Sequence, residues 1–142
     1  MFTTVTELAV DLSAPPPDLQ AQAGLYVLIL CRGDIDPDWQ WDMARKIALA
    51  HPVLVAAWGP GTTTWDDAID MVCIVGEALG GIPHPPEILT TWHDGEPLEE
   101  TVAFLATSPK YDQAPADKLL ILDMGNTSAT ASDVARLLAR QD

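Results

Sequence analysis

From Thr90 to Glu100 the sequence reads TTWHDGEPLEE, a stretch that gathers a tryptophan, a histidine and several carboxylates around Gly95 and Pro97. His93 followed by Asp94, with Glu96 three residues on, has the makings of an acid–base pair. An imidazole ionises near neutral pH, and a neighbouring carboxylate can fix which ring nitrogen carries the proton. His93 and Asp94 are therefore the candidate catalytic residues. The same residues also suit a plainer purpose. A histidine held by a local carboxylate is an ordinary structural contact, and Glu96 before Pro97, with Glu99 and Glu100 behind, is what the first turn of a helix favours. The stretch is either an active-site loop or the junction where a strand hands over to a helix.

Other groups could join it. Asp66, Asp67, His93, Asp94, Glu96 and Asp123 all fall near expected strand ends. Were they to converge, carboxylates with one imidazole would suit Mg²⁺ or Mn²⁺. No recognised ligand spacing occurs, so no metal ligand is assigned. Cys31 beside Arg32 could be an activated thiolate, but within LILCRG a buried thiol is the simpler reading. There is no G-x-S-x-G elbow. The turn GPGT at 59–62 lacks both a following lysine and the dinucleotide-loop spacing, and acids at the helix starts would repel phosphate. No motif calls for a cofactor. Trp58, Trp65 and Trp92 flank two strand ends, where large rings can floor a pocket, anchor a partner or simply form a packed lid. The candidate binding residues are thus Trp58, Trp65, Asp66, Asp67, Trp92, His93 and Glu96.

Positioning these side chains requires a frame. Residues 1–24 read as a lead-in, with VTELAVDL as an edge strand or short helix and SAPPPD as a break. Residues 25–142 read as one α/β domain. Apolar runs at 25–31, 53–58 and 118–124 and a strand-like stretch at 87–92 alternate with helical patterns at 36–51, 64–79, 97–106 and 131–141. Strands so uniformly apolar are buried on both faces, as parallel strands are. Four β-then-α units therefore predict a three-layer sandwich around a four-stranded, mostly parallel sheet, with a possible fifth strand from the N-terminus. The expected order of the four is second, first, third, fourth. Asp36, Thr64 with Asp67, Glu96 and Asp133 are read as helix-start residues. In an open parallel sheet, ligands sit beyond the carboxyl ends of the strands, and here that rim includes Arg32, Trp58, Trp92, His93, Asp123, Gly125 and Asn126.

The chain has 142 residues, 48% of them apolar, with mean hydropathy +0.11 and a formal charge of −14. An acidic surface must wrap a rich apolar interior. Such a field repels nucleic acid and anionic membrane and attracts basic surfaces. Cys31 and Cys73 are too few for a disulfide framework. No secretory signal and no apolar run of membrane-spanning length is visible, which makes a cytoplasmic protein the expectation.

The segments AAWGPGTTTWDDAID and ILTTWHDGEPLEETVAF resemble a small bacterial family of unknown function. Its members share a Trp-Gly after one strand, matched by Trp58 and Gly59. They share a Trp-Asp-Asp at the next helix start, matched by Trp65, Asp66 and Asp67. They also share a Thr-Thr-Trp-His loop leading to Glu-Pro-Leu, matched by Thr90 to His93 and Glu96 to Leu98. The resemblance spans about the middle half of the chain. It implies that these loops form one feature and supplies no chemistry.

Two functions remain. The first is an acidic cytoplasmic interaction module, immunity-like or regulatory, that binds a protein with a basic surface. The second is a small hydrolase-like enzyme, with or without a metal, working at the strand-end rim through His93. The second half of helix 64–79 is apolar nearly all round. Its surplus must meet either residues 1–24 or a second copy, and a homodimer is the expectation.

Overall fold

The computed structural model describes residues 2–107, 117–125 and 129–141. Its centre is β2 (Leu25–Leu30), which reads LYVLIL. Successive side chains of a strand point to opposite faces, so an unbroken apolar run is satisfied only where both faces are covered. All six residues are buried: Leu25, Val27 and Ile29 in one apolar layer, Tyr26, Leu28 and Leu30 in the other. On either side lie β3 (Leu54–Trp58) and β5 (Lys118–Asp123). Beyond β3 is β4 (Leu89–His93), and beyond β5 is β1 (Thr4–Ala9). The order is β1-β5-β2-β3-β4 and every pairing is parallel.

Helices cover both faces. α1 (Pro37–Leu49) and α2 (Thr62–Ile74) pack together and bury Met43, Ile47, Trp65 and Ile69 against Val27, Ile29 and Ala57. α3 (Leu98–Thr107) and α4 (Ala131–Ala139) bury Leu98, Val102 and Val134 against Leu28, Leu30 and Ala56. The expected α/β sandwich is therefore present, with five strands where four were expected. The lead-in supplies the fifth.

The expected strand order is corrected. Counting only the four central strands, the fourth lies beside the first, which is followed by the second and third. The reason is the need to cover β2 twice. α1 and α2 occupy one face, so α3 takes the other. The chain leaving β4 must then cross back over β3 and β2, and it delivers β5 to the free edge of β2.

The helix starts also differ in detail. Asp36 stands at the N-cap of α1 with Pro37 behind it, but its side chain makes no cap hydrogen bond. α2 begins earlier than Thr64, after Gly61 in the left-handed region at φ 78°. The Thr64 hydroxyl instead donates to the Gly61 carbonyl at 2.7 Å. α4 carries a full capping box between Thr130 and Asp133.

α2 also stops five residues short of the expected end. Gly76 turns the chain at φ 76°, and the Gly81 and Ile82 amides donate back to the Gly76 and Val72 carbonyls. A Cβ at Gly81 would lie 2.7 Å from both oxygens, so no other residue permits this close return. The apolar surplus is thereby left on the surface: Ile74 and Leu79 are each 73% exposed, and Met71 is 43% exposed. The N-terminal segment covers a different place. Its Leu12 and Leu19 pack on the core, the Trp39 indole of α1 donates to the Ala14 carbonyl at 2.8 Å, and Lys46 of α1 pairs with Asp18.

Candidate functional site

Trp58 and His93 end β3 and β4 and are register partners, so both side chains leave the sheet on the α3–α4 face. His93 is buried. The turn after it, with Gly95 at φ 70°, brings Glu96 back beneath the ring. His93 Nδ1 donates to Glu96 Oε2 at 3.1 Å. In the neutral ring Nε2 then accepts from the Thr91 hydroxyl, 2.9 Å away. Glu96 is held in turn. The Thr101 hydroxyl on α3 donates to Oε1 at 3.3 Å, and the Trp58 indole donates to the Glu96 backbone carbonyl at 2.7 Å. Phe104 of α3 covers the imidazole, with ring centroids 5.0 Å apart.

The arrangement is a latch. β3, β4 and α3 meet at one imidazole and one carboxylate, and each polar atom finds a partner within the protein. Both nitrogens of His93 are engaged, which leaves neither pointing at solvent. Asp94, the other candidate catalytic residue, is exposed and takes no part. In its geometry the stretch joins β4 to α3. Thr91 and Thr101 complete it. Thr91 stands two residues before His93 on the same face, a spacing the sequence displays; Thr101 comes from a separate element.

The remaining candidates lie across the sheet. Trp92 pairs in register with Ala57 and belongs to the α1–α2 face, where it is 54% exposed. Trp65 is fully buried in that layer, and its indole nitrogen has no partner among the described residues. Asp66, one residue on, accepts a hydrogen bond from the Thr90 hydroxyl of β4. The expectation that Trp58, Trp65, Trp92 and His93 share one shell is therefore corrected. The strand ends do come together, but the period of two sends Trp58 and His93 to one face and Trp92 to the other.

This division also separates the candidate metal ligands. His93 and Glu96 are on the α3 side and Asp66 is on α2. Among the described residues, no group of three or more His, Cys, Asp or Glu side chains could hold an ion. Cys31 is buried in the core, and burial pushes its thiol up to about 12, far from an activated thiolate. At the rim beyond β2, Arg32 forms a two-point ion pair with Asp34, at 2.8 and 3.0 Å. Asn126 lies outside the described residues. A groove of about 500 Å³ opens where Trp58 and Leu98 face Arg136, Leu137 and Arg140 of α4. Arg136 is already paired there with the capping Asp133.

α2 carries Asp66, Asp67 and Asp70 and no Lys or Arg of its own; a base close by in space is Arg45 of α1, which donates to the Gly81 carbonyl at 3.5 Å. Between Lys46 and Lys110 there is no Lys or Arg, while nine carboxylates fall there, from Asp66 to Glu100. On α2 the crowding is felt directly. The Asp70 carboxyl is raised above its ordinary range, first by partial burial and then by the charges of Asp66 and Asp67.

His93→Ala should cost about 2–4 kcal/mol in chemical denaturation, because it empties a buried site and orphans Glu96 and Thr91. Asp94→Ala should stay within about 0.5 kcal/mol. Equal losses in the two variants would reject the latch. For Asp70 the folded-state value lies above the unfolded one, so its stabilising proton is lost as pH rises through the raised value. Asp70→Asn should therefore stabilise the fold at pH 7 and low salt, by about 0.5 kcal/mol or less for such exposed like-charge neighbours. That gain should fade as the pH falls toward the ordinary carboxyl range. A gain that persists in acid would show that charge is not its cause.

Comparison with curated proteins and with solved structures returns no match. A family model described as a domain of unknown function, DUF7684, matches residues 4–141, a span that includes β1 and runs to the end of α4. On that match over nearly its whole length, the chain belongs to the DUF7684 family.

Proposed function

We propose that this protein is an interaction module, immunity-like or regulatory, that docks a protein with a basic surface on the side of α2. The observation that carries the reading is a coincidence of two features there. Met71, Ile74 and Leu79 are exposed apolar side chains, and the helix that leads to them bears Asp66, Asp67 and Asp70 with no base nearby in the sequence. Isolated exposed apolar residues are ordinary, but Met71 and Ile74 stand one helical turn beyond Asp67 and Asp70 on α2, with Leu79 in the short turn that follows, and a partner would relieve that combination. A basic partner supplies both missing halves: apolar cover and countercharge. The homodimer expected from the sequence would bury the same residues, yet α2 carries no base of its own to set against Asp66, Asp67 and Asp70 of a second copy. Two free thiols suit a reducing, cytoplasmic setting.

The test uses a fluorescently labelled amphipathic helical peptide of leucine and lysine. It should bind in a salt-dependent way. Joint replacement Ile74→Ser and Leu79→Ser should weaken it about tenfold, the order of 1.4 kcal/mol. Leu49→Ser, an exposed apolar site on α1, should leave binding unchanged. Light scattering should give the mass of a single chain. Equal weakening by all these changes, or none, would count against this docking face.

One observation favours a hydrolase-like reading. Thr91, His93 and Glu96 stand in the sequence of contacts of a nucleophile, a base and an orienting acid. Against it, the ring is buried, Phe104 covers it, and the Thr91 hydroxyl is only partly exposed. Turnover of an activated ester that disappears in Thr91→Val, with the fold retained, would support this reading over the first.

A further inference from the structure

We infer that the open edge of β4 is a strand-addition site, which takes an extended peptide segment bearing Lys or Arg at every second position. The inference rests on the interaction-module reading and names how the partner is held.

The backbone sets the opportunity. The Leu89 amide donates to the Val53 carbonyl at 3.2 Å, which fixes the alternation along β4. Leu89, Thr91 and His93 turn their N–H and C=O groups toward β3. Thr90 and Trp92 turn theirs outward, where no strand follows among the described residues. Sheet edges are normally blunted by a charge, a proline or a bulge, because bare N–H and C=O groups recruit other strands. The opposite edge of the sheet follows this rule. The Val10 amide donates to Asp123, so Val5, Glu7 and Ala9 face outward along β1, and Glu7 puts a carboxylate in that edge. From Leu89 to His93 there is no charged residue and no proline, and the four pairs of the β3–β4 register up to Trp92 run without a bulge.

The surroundings select the occupant. A strand added outside β4 sends alternate side chains to the α2 face of the sheet. There stand Trp92, more than half exposed, and Asp66, fixed to β4 through Thr90. Asp70 lies one helical turn further along α2, its carboxyl raised first by partial burial and then by the charges of Asp66 and Asp67. Glu87 and Asp94 bracket the strand in sequence. A Lys or Arg on that face meets carboxylates and can lay its stem or its cation on the indole of Trp92. Main-chain bonds to Thr90 and Trp92 would give affinity, and the alternating basic side chains specificity.

The experiment uses a short acetylated peptide alternating valine and lysine, with two N-methylated versions. One carries the methyl groups on every valine, the other on every lysine. N-methylation removes N–H donors from one edge of a strand and leaves charge unchanged. The parent peptide should bind, more weakly as salt rises, and should slow amide exchange at Thr90 and Trp92. One N-methylated version, set by the direction of the added strand, should lose at least about tenfold in affinity, while the other retains it. If both bind like the parent and exchange at Thr90 and Trp92 is unchanged, strand addition is overturned. The module reading then survives, provided the helical leucine–lysine peptide still depends on Ile74 and Leu79. If neither the parent nor the helical peptide binds, both readings fall. If Thr90 and Trp92 are protected without peptide and light scattering gives twice the mass, a second copy fills the edge and the basic-segment assignment is wrong.

Discussion

Everything in this fold depends on one strand that cannot touch water on any side. β2 offers apolar side chains to both faces of the sheet and needs a neighbour along each edge. Burying each of its aliphatic side chains contributes on the order of 1.5–3 kcal/mol, so leaving either face open would forfeit much of the stability of a small domain. Two helices must lie above it and two below. That demand sends α3 to the far face, returns the chain to the free side of β2, and leaves β4 and β1 as the sheet edges. The location of the open edge is thus a consequence of how the centre is covered.

The same constraint explains the rim. Residues adjacent along a strand are separated by the whole thickness of the sheet. Trp92 and His93 are neighbours in sequence, yet one faces the acidic flank of α2 and the other closes a latch beneath α3. The latch is fully satisfied internally, and it ties β3, β4 and α3 together at the point where the chain leaves for its long crossover. Its histidine is buried beneath Phe104 with both ring nitrogens engaged.

The opposite flank breaks local rules. Three aspartates crowd one helix, large apolar residues stay in water, and among the described residues no strand follows the uncharged edge of β4. Each lowers stability or solubility by itself, and sequences tend to break such rules where binding needs it. The proposed docking side is where all three concentrate, in a stretch of sequence without Lys or Arg.

Much of the architecture was legible in the sequence. The apolar runs and helical periods named every central strand and helix, and the uniformly apolar strands declared a parallel, doubly covered sheet. These are local properties: side-chain period and propensity act over a few residues. Strand order was not legible, because it follows from which face each helix takes, and that is settled only when helices compete for the two sides of β2. The end of α2 was likewise hidden, since Gly76 and Gly81 act together through a close return of the chain. For the site, the sequence supplied the residues His93, Glu96, Trp58 and Trp92 but not their grouping. The tertiary structure alone decided that His93 turns inward to Glu96, Thr91 and Phe104, and that Trp92 turns out toward the acids of α2, because register and packing determine which face of the sheet each side chain meets.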